Sequence, residues 1–139
     1  LAEKKSSAYT KEIDRNQVLL TADTIVIKGK EVLEKPKDKQ EAKEMLSKLS
    51  DSCHKVITGV CMRNSEKKLV FSDYSIVHFM KISEEEMDYY IDEFQPLDKA
   101  GSYGIQDWIG IAKINKIEGS YFNIVGLPGH KIIESLKKW

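Results

Sequence analysis

The sequence has 139 residues, 41% hydrophobic and 32% charged, and its 22 Lys plus Arg balance 22 Asp plus Glu to a formal net charge of zero. That length suits one domain spanning residues 1–139, able to bury about two-thirds of the surface of its unfolded chain. A neutral chain lacks the basic excess of proteins that coat nucleic acid or anionic membrane, and no apolar run approaches the ~20 residues of a bilayer span, so neither partner is expected.

Leu1, Lys5, Ala8 and Tyr9 fall at helical spacing, so the sequence opens inside a helix and a preceding segment is expected. Residues 16–27 (NQVLLTADTIVI) are aliphatic and β-branched and read as a buried strand. A Lys28-Gly29-Lys30 turn leads to a short segment closed by Pro36. Asp38 then caps a helix, with Glu41 in the capping-box position and Ala42, Met45, Leu46 and Leu49 on one face. His54–Arg63 and Lys68–Lys81 read as two strands joined by a hairpin at Asn64–Lys67. Ser83 and Glu86 form a second capping box, ahead of a helix with Met87, Tyr90, Ile91 and Phe94 on its apolar face and Pro96 at its end. Residues 98–110 read as irregular, Gly110–Ile117 as a strand, and Pro128 onward as an amphipathic helix carrying Ile132, Ile133 and Leu136. The alternation predicts an α/β domain with a mixed β-sheet flanked by helices.

Cys53 and Cys61 lie on one extended segment, about 25 Å apart at the rise of a strand, beyond disulfide reach. Reduced thiols suit the cytoplasm. With no Cys-x-x-Cys and with His54, His78 and His130 scattered, a zinc site is not expected.

Four features could carry chemistry. Asp23 sits within an apolar strand, where a carboxylate must be paired, metal-bound or neutralised; it is either a strand-end residue bonding backbone or a carboxylate in a cleft that holds a metal or takes a proton from water. Lys5 and Lys35, the latter just before Pro36, are either solvated surface charges or phosphate contacts. The loop Asp98-Lys99-Ala100-Gly101-Ser102-Tyr103-Gly104-Ile105-Gln106 combines two glycines, which let backbone approach a ligand, with an acid, a lysine and an amide. His54 is read as capping its strand or bonding backbone in preference to binding metal, and Gly126 with Pro128 as turning the chain into its last helix.

In order, Ala22-Asp23-Thr24, Glu34-Lys35-Pro36, His54-Lys55-Val56-Ile57-Thr58-Gly59, the 98–106 loop, Gly119-Ser120-Tyr121 and Val125-Gly126-Leu127-Pro128 resemble the motifs of the Maf family of nucleotide pyrophosphatases. The resemblance implies an architecture like that of Maf proteins and inosine triphosphatases, and hydrolysis of a nucleoside triphosphate between its α and β phosphates. It implies Asp23 as proton acceptor, Lys5 and Lys35 as catalytic cations, and Thr24 and Gln106 as substrate-selecting residues. Lys99 is expected to contact substrate and Asp98 to hold a divalent Mg²⁺ or Mn²⁺. The Gly-Ile-Gln form resembles the branch acting on dTTP and UTP, and a homodimer is implied. The family's opening strand and Ser-x-Ser-Pro-Arg-Arg loop have no match here, so the first strand and phosphate loop are read as absent. Two alternatives stand beside the enzyme: a non-catalytic nucleotide-binding regulator of cell division and septum formation, and an inactive truncated form.

Overall fold

A computed structural model describes the whole chain, Leu1–Trp139. Its five strands form one sheet. β1 (Leu19–Lys28) turns at Gly29, whose φ of 61° suits glycine, into β2 (Glu31–Leu33). β3 (Cys53–Arg63) and β4 (Lys68–Phe79) make the long central hairpin, closed at Asn64, whose Oδ1 accepts from the backbone N–H groups of Glu66 and Lys67. With β5 (Ile114–Glu118) the order is β2-β1-β3-β4-β5, and every pairing is antiparallel.

The α/β class and the flanking helices are as expected. The parallel pair that a mixed sheet requires does not occur among these five strands, because each neighbour is reached by a hairpin or a returning connection. β2 pairs only with Val26–Lys28, so the stretch Leu19–Ile25 of β1 has β3 on one side and an unpaired edge on the other. That edge is where the site lies.

The sheet has two different faces. Thr24, Val26, Val56 and Thr58 point toward α2 (Lys39–Leu49), α3 (Glu84–Phe94), α5 (Tyr121–Val125) and α6 (Gly129–Lys137). The main core forms there, where Val26, Val56 and Val77 meet Leu46 and Leu49 of α2 and Met87, Tyr90 and Ile91 of α3. A smaller cluster of Val60, Met62 and Ile132 lies further along the same face. Asp23 and Gly59 point the opposite way, toward α1 (Ala2–Ala8), and the missing side chain of Gly59 lets Ala2 approach the strand.

Caps follow the sequence closely. Asp38 accepts from the Glu41 N–H, and Ser83 with Glu86 makes the full reciprocal box. The strand expected over Gly110–Ile117 is a correction. Trp108–Lys113 is a short helix, α4, and only Ile114–Glu118 pairs with β4. Its β-branched residues suggest a strand, but Asp107 starts a helical turn that packs Ile109 fully into the core and leaves Ile111 in solvent. Gly110 is required in that turn, since a Cβ there would stand 1.8 Å from the Ile105 carbonyl oxygen. α5, with Ser120 as its cap, is a helix the sequence reading did not anticipate.

Candidate active site

A cleft of about 330 Å³ opens at the unpaired edge of β1. Its walls come from α1, β1, the segment after β2, the 98–106 loop and α5. All seven residues singled out from the sequence line it: Lys5, Asp23, Thr24, Lys35, Asp98, Lys99 and Gln106. They come from parts of the chain far apart in sequence, and the fold alone brings them together.

Lys5 reaches the edge from α1. Its Nζ donates to Asp23 Oδ1 at 2.6 Å and to the Ala22 carbonyl at 3.3 Å, leaving Asp23 Oδ2 without a protein donor. α1 is short, and isolated helices of that length do not hold themselves in water. Tertiary bonds hold it instead. Thr21 Oγ1 donates to the Ala2 carbonyl at 2.6 Å, and Arg63 of β3 donates to Ser6 Oγ, Ser6 O and Tyr9 O at 2.7, 2.8 and 3.1 Å.

The 98–106 loop is built in two short 3₁₀ turns, Pro96–Asp98 and Ala100–Ser102, and is fastened on both sides. Gly101 has φ 70° and passes so close to β1 that a Cβ would lie 3.1 Å from Val26 Cγ1, while its N–H donates to the Glu34 carbonyl at 3.3 Å. The same contact ties the loop to the segment that presents Lys35 before the buried Pro36. On the other side, Tyr90 of α3 accepts from the Gly104 N–H at 3.0 Å and donates to Asp107 Oδ2 at 2.6 Å. Burial, reinforced by that bond to Asp107, pushes the Tyr90 phenol well above its ordinary range, so it serves as a neutral strut.

His54 does not bond backbone, as the sequence reading expected. Its Nε2 lies 2.6 Å from the hydroxyl of Tyr103, and its ring stacks on Phe79 with centroids 5.5 Å apart. Burial lowers its pKa to about 4, with Lys28 and His78 adding to the effect, so the ring is neutral at physiological pH. It props Tyr103, which lines the cleft and whose phenol burial also pushes up. Metal ligation by His54 has no support in this arrangement.

On the face opposite Asp23, Thr24 Oγ1 lies 2.9 Å from Thr58 Oγ1, and Thr58 Oγ1 donates to the Asn123 carbonyl at 2.9 Å. Thr58 and Asn123 were not singled out as individual site residues. The clue was available: a threonine in the middle of an otherwise apolar strand face, and an asparagine among apolar residues at Phe122–Ile124. Gly126, at φ 125°, ends α5 close to Thr24, where a Cβ would come within 3.6 Å of its hydroxyl.

Three lysines around one cleft make an anion site, and the carboxylates beside them suit a hard cation. No group of three or more His, Cys, Asp or Glu side chains stands together. Two carboxylates, Asp23 and Asp98, do face the cleft. That donor set fits an ion of the Mg²⁺ kind, which keeps waters and is shared between one or two carboxylates and substrate phosphates.

Converging cations, two carboxylates and a pinned glycine loop mark a phosphate-binding cleft on an α/β fold, and its family is shown directly. The family model described as Maf-like protein matches residues 1–139, and the chain belongs to that family. It is 46% identical over 134 residues, 96% of this chain and 68% of the relative, to a protein of Christiangramia forsetii named dTTP/UTP pyrophosphatase. Proteins with the same name from Flavobacterium psychrophilum and Porphyromonas gingivalis are 48% and 45% identical, over 95% and 99% of this chain and 68% and 70% of their own lengths.

Proposed function

We propose that this protein is a nucleoside triphosphate pyrophosphatase that hydrolyses dTTP and UTP to the monophosphate and pyrophosphate. The observation that carries this reading is the convergence of Lys5, Asp23, Lys35 and Lys99 on one cleft, in a chain whose relatives bear that activity in their names.

Asp23 acts as the base. With Oδ1 held by Lys5, Oδ2 accepts a proton from a water that attacks the α-phosphorus. The new P–O bond forms as the bond from the α-phosphorus to the bridging oxygen breaks, and pyrophosphate departs with that oxygen. Lys5, Lys35 and Lys99 place positive charge where the phosphate oxygens gain negative charge in the transition state. A divalent cation held by Asp98 together with substrate would neutralise phosphate oxygens when bound. Thr24 and Gln106 select the base, the amide of Gln106 offering both a donor and an acceptor. No helix is long and apolar enough to cross a membrane; a cytoplasmic nucleotide pool and a reducing compartment for the two free cysteines accord with this chemistry.

The test is pyrophosphate release from dTTP, UTP, CTP and 7-methyl-GTP with Mg²⁺ or Mn²⁺, using the full natural chain. dTTP and UTP should be preferred, and Asp23→Asn should lower kcat by about 10²–10⁴-fold with little change in nucleotide binding. Full turnover by Asp23→Asn would remove the base assignment. Nucleotide binding without any turnover would instead leave a nucleotide-binding regulator.

A further inference from the structure

Away from the cleft the sheet has a second open edge. β5 pairs only with Ile76–Phe79 of β4, so residues 68–75 have β3 on one side and no strand on the other. At one end of β4 the Asn64 N–H donates to the Lys67 carbonyl at 3.0 Å, and at the other the Phe79 N–H donates to the Ser52 carbonyl at 2.9 Å. Both bonds fit one register, in which the odd-numbered residues of β4 turn their backbone groups toward β3. Lys68, Val70 and Ser72 therefore turn theirs outward. Lys131 of α6 donates to the Ser72 carbonyl at 3.1 Å, while the N–H and C=O of Val70 face outward with no protein partner.

Folds usually blunt such an edge with a proline, a bulge, a very short strand or charge. Here the register with β3 is unbroken from Lys68 to His78, and the edge carries Leu69, Val70 and Phe71 in succession. Lysines flank it, but Lys68 is drawn to Glu3 of α1 and Lys131 to Asp73. Leu69 and Val70 remain 39% and 49% exposed. Beside the edge, between β4 and α6, lie two hollows of about 330 and 420 Å³ that share Leu69, Ser135 and Lys138 and so form one groove. Four lysines line it (Lys67, Lys68, Lys131 and Lys138) against a single acid, Glu134.

Open main-chain groups with a side-chain groove alongside are the two parts of a strand-addition site. A strand laid antiparallel on β4 would exchange two hydrogen bonds with Val70. Its residues opposite Leu69 and Phe71 would point into the groove, where a glutamate can rest its methylenes on those side chains and its carboxylate among the lysines. Its residue opposite Val70 would lie on the other face, against exposed aliphatic surface. A second copy of this chain fits worse, because β4 paired with itself would set these lysines against their own counterparts. We propose that the Lys68–Ser72 edge of β4 docks an extended segment of a partner protein, acidic on the face toward α6 and aliphatic on the other.

The probe is a short fluorescein-labelled peptide of alternating Glu and Val, titrated into the full natural chain and read by fluorescence anisotropy. Saturable binding is expected. Val70→Pro deletes the outward N–H and spares the bonds to β3, and should weaken binding by about tenfold. Methylating the backbone nitrogens of the peptide should weaken it by a similar factor with the protein untouched, and so decides the matter if Val70→Pro does not fold. A peptide of alternating Lys and Val should bind far more weakly. No binding of the Glu and Val peptide overturns the proposal. Equal binding of its N-methylated form does so too, since attraction would then be charge alone. A wild-type dimer in sedimentation that Val70→Pro converts to monomer would overturn the acidic occupant in favour of a second copy.

Discussion

Gly101→Ala tests whether the cleft depends on the close passage of its loop across β1. Two costs can be separated at this position. The first is conformational, because φ is 70° and an L-residue with a side chain pays about 1–2 kcal/mol in the left-handed region. The second is steric: the new methyl would lie 3.1, 3.2 and 3.3 Å from Cγ1, Cγ2 and Cβ of the buried Val26. Overpacking of that kind adds roughly 1–3 kcal/mol. The sum is about 2–5 kcal/mol, or the loop moves off the strand and carries Lys99 and Gln106 with it. Gly29 is the control, with φ 61° and nothing within 4 Å of its would-be Cβ, so Gly29→Ala should show the conformational cost alone. Urea denaturation of both variants, and of Gly101→Ala in a Val26→Ala background, isolates the collision. Removing the two γ-methyls should cut the cost of Gly101→Ala toward that of Gly29→Ala, a coupling of about 1–3 kcal/mol. Equal costs at the two glycines, or no coupling to Val26, would refute the reasoning.

Tyr90→Phe deletes the hydroxyl that joins Gly104 to Asp107 and should cost about 1–3 kcal/mol in denaturant while raising KM more than it lowers kcat, since the loop is loosened and the base untouched. Arg63→Ala removes three bonds that hold α1, so Lys5 should lose its place on Asp23; kcat should fall without loss of the global unfolding transition, and hydrogen exchange should quicken at residues 2–9. His54 has a folded pKa of about 4 against 6.5 when free, so the unfolded state binds more protons between those values. Stability should be intact above the free value and decline as pH falls through this window, by roughly 2 kcal/mol at pH 5 from this residue. Glu3, Glu86 and Glu118, each held below the ordinary carboxylate range by a hydrogen-bonded cation or histidine, also lose stability in acid, so the measurement is wild type minus His54→Gln across pH 7 to 4.5. Parallel stability curves for the two proteins would refute it.

Residues that could be read from the sequence are those whose chemistry conflicts with their local pattern. Asp23 in an aliphatic strand and the polar residues of the glycine loop stand out because a strand or a turn does not need them, and the structure brings both to the cleft. Helix caps were legible because their hydrogen bonds are local. The strand expected at Gly110–Ile117 misled because propensity there is outweighed by tertiary packing of Ile109 and by the crossing of Gly110 over Ile105. Thr58, Asn123 and Tyr90 escaped individual notice for a related reason. Each acts through partners between 14 and 67 residues away, and no spacing rule in one sequence marks such pairs.

The two apolar clusters on the helix-covered face are divided where Thr24, Thr58 and Asp73 stand in register across three strands. Burying such a row is costly unless every group is paired. Most of its groups are paired, Thr24 with Thr58, Thr58 with the Asn123 carbonyl, Asn123 Nδ2 with Ser75, and Asp73 with Lys131 at 3.0 Å, while the buried Oδ1 of Asn123 has no partner. Valines of the same shape at 24 and 58 would join the clusters into one core without needing any of these bonds, so stability alone gives no reason for the seam. It reaches solvent at both ends, at the Thr24 hydroxyl on the wall of the cleft and at the Asp73–Lys131 pair. What the row supplies is a polar wall to the cleft, where Thr24 is held against the fully buried Thr58.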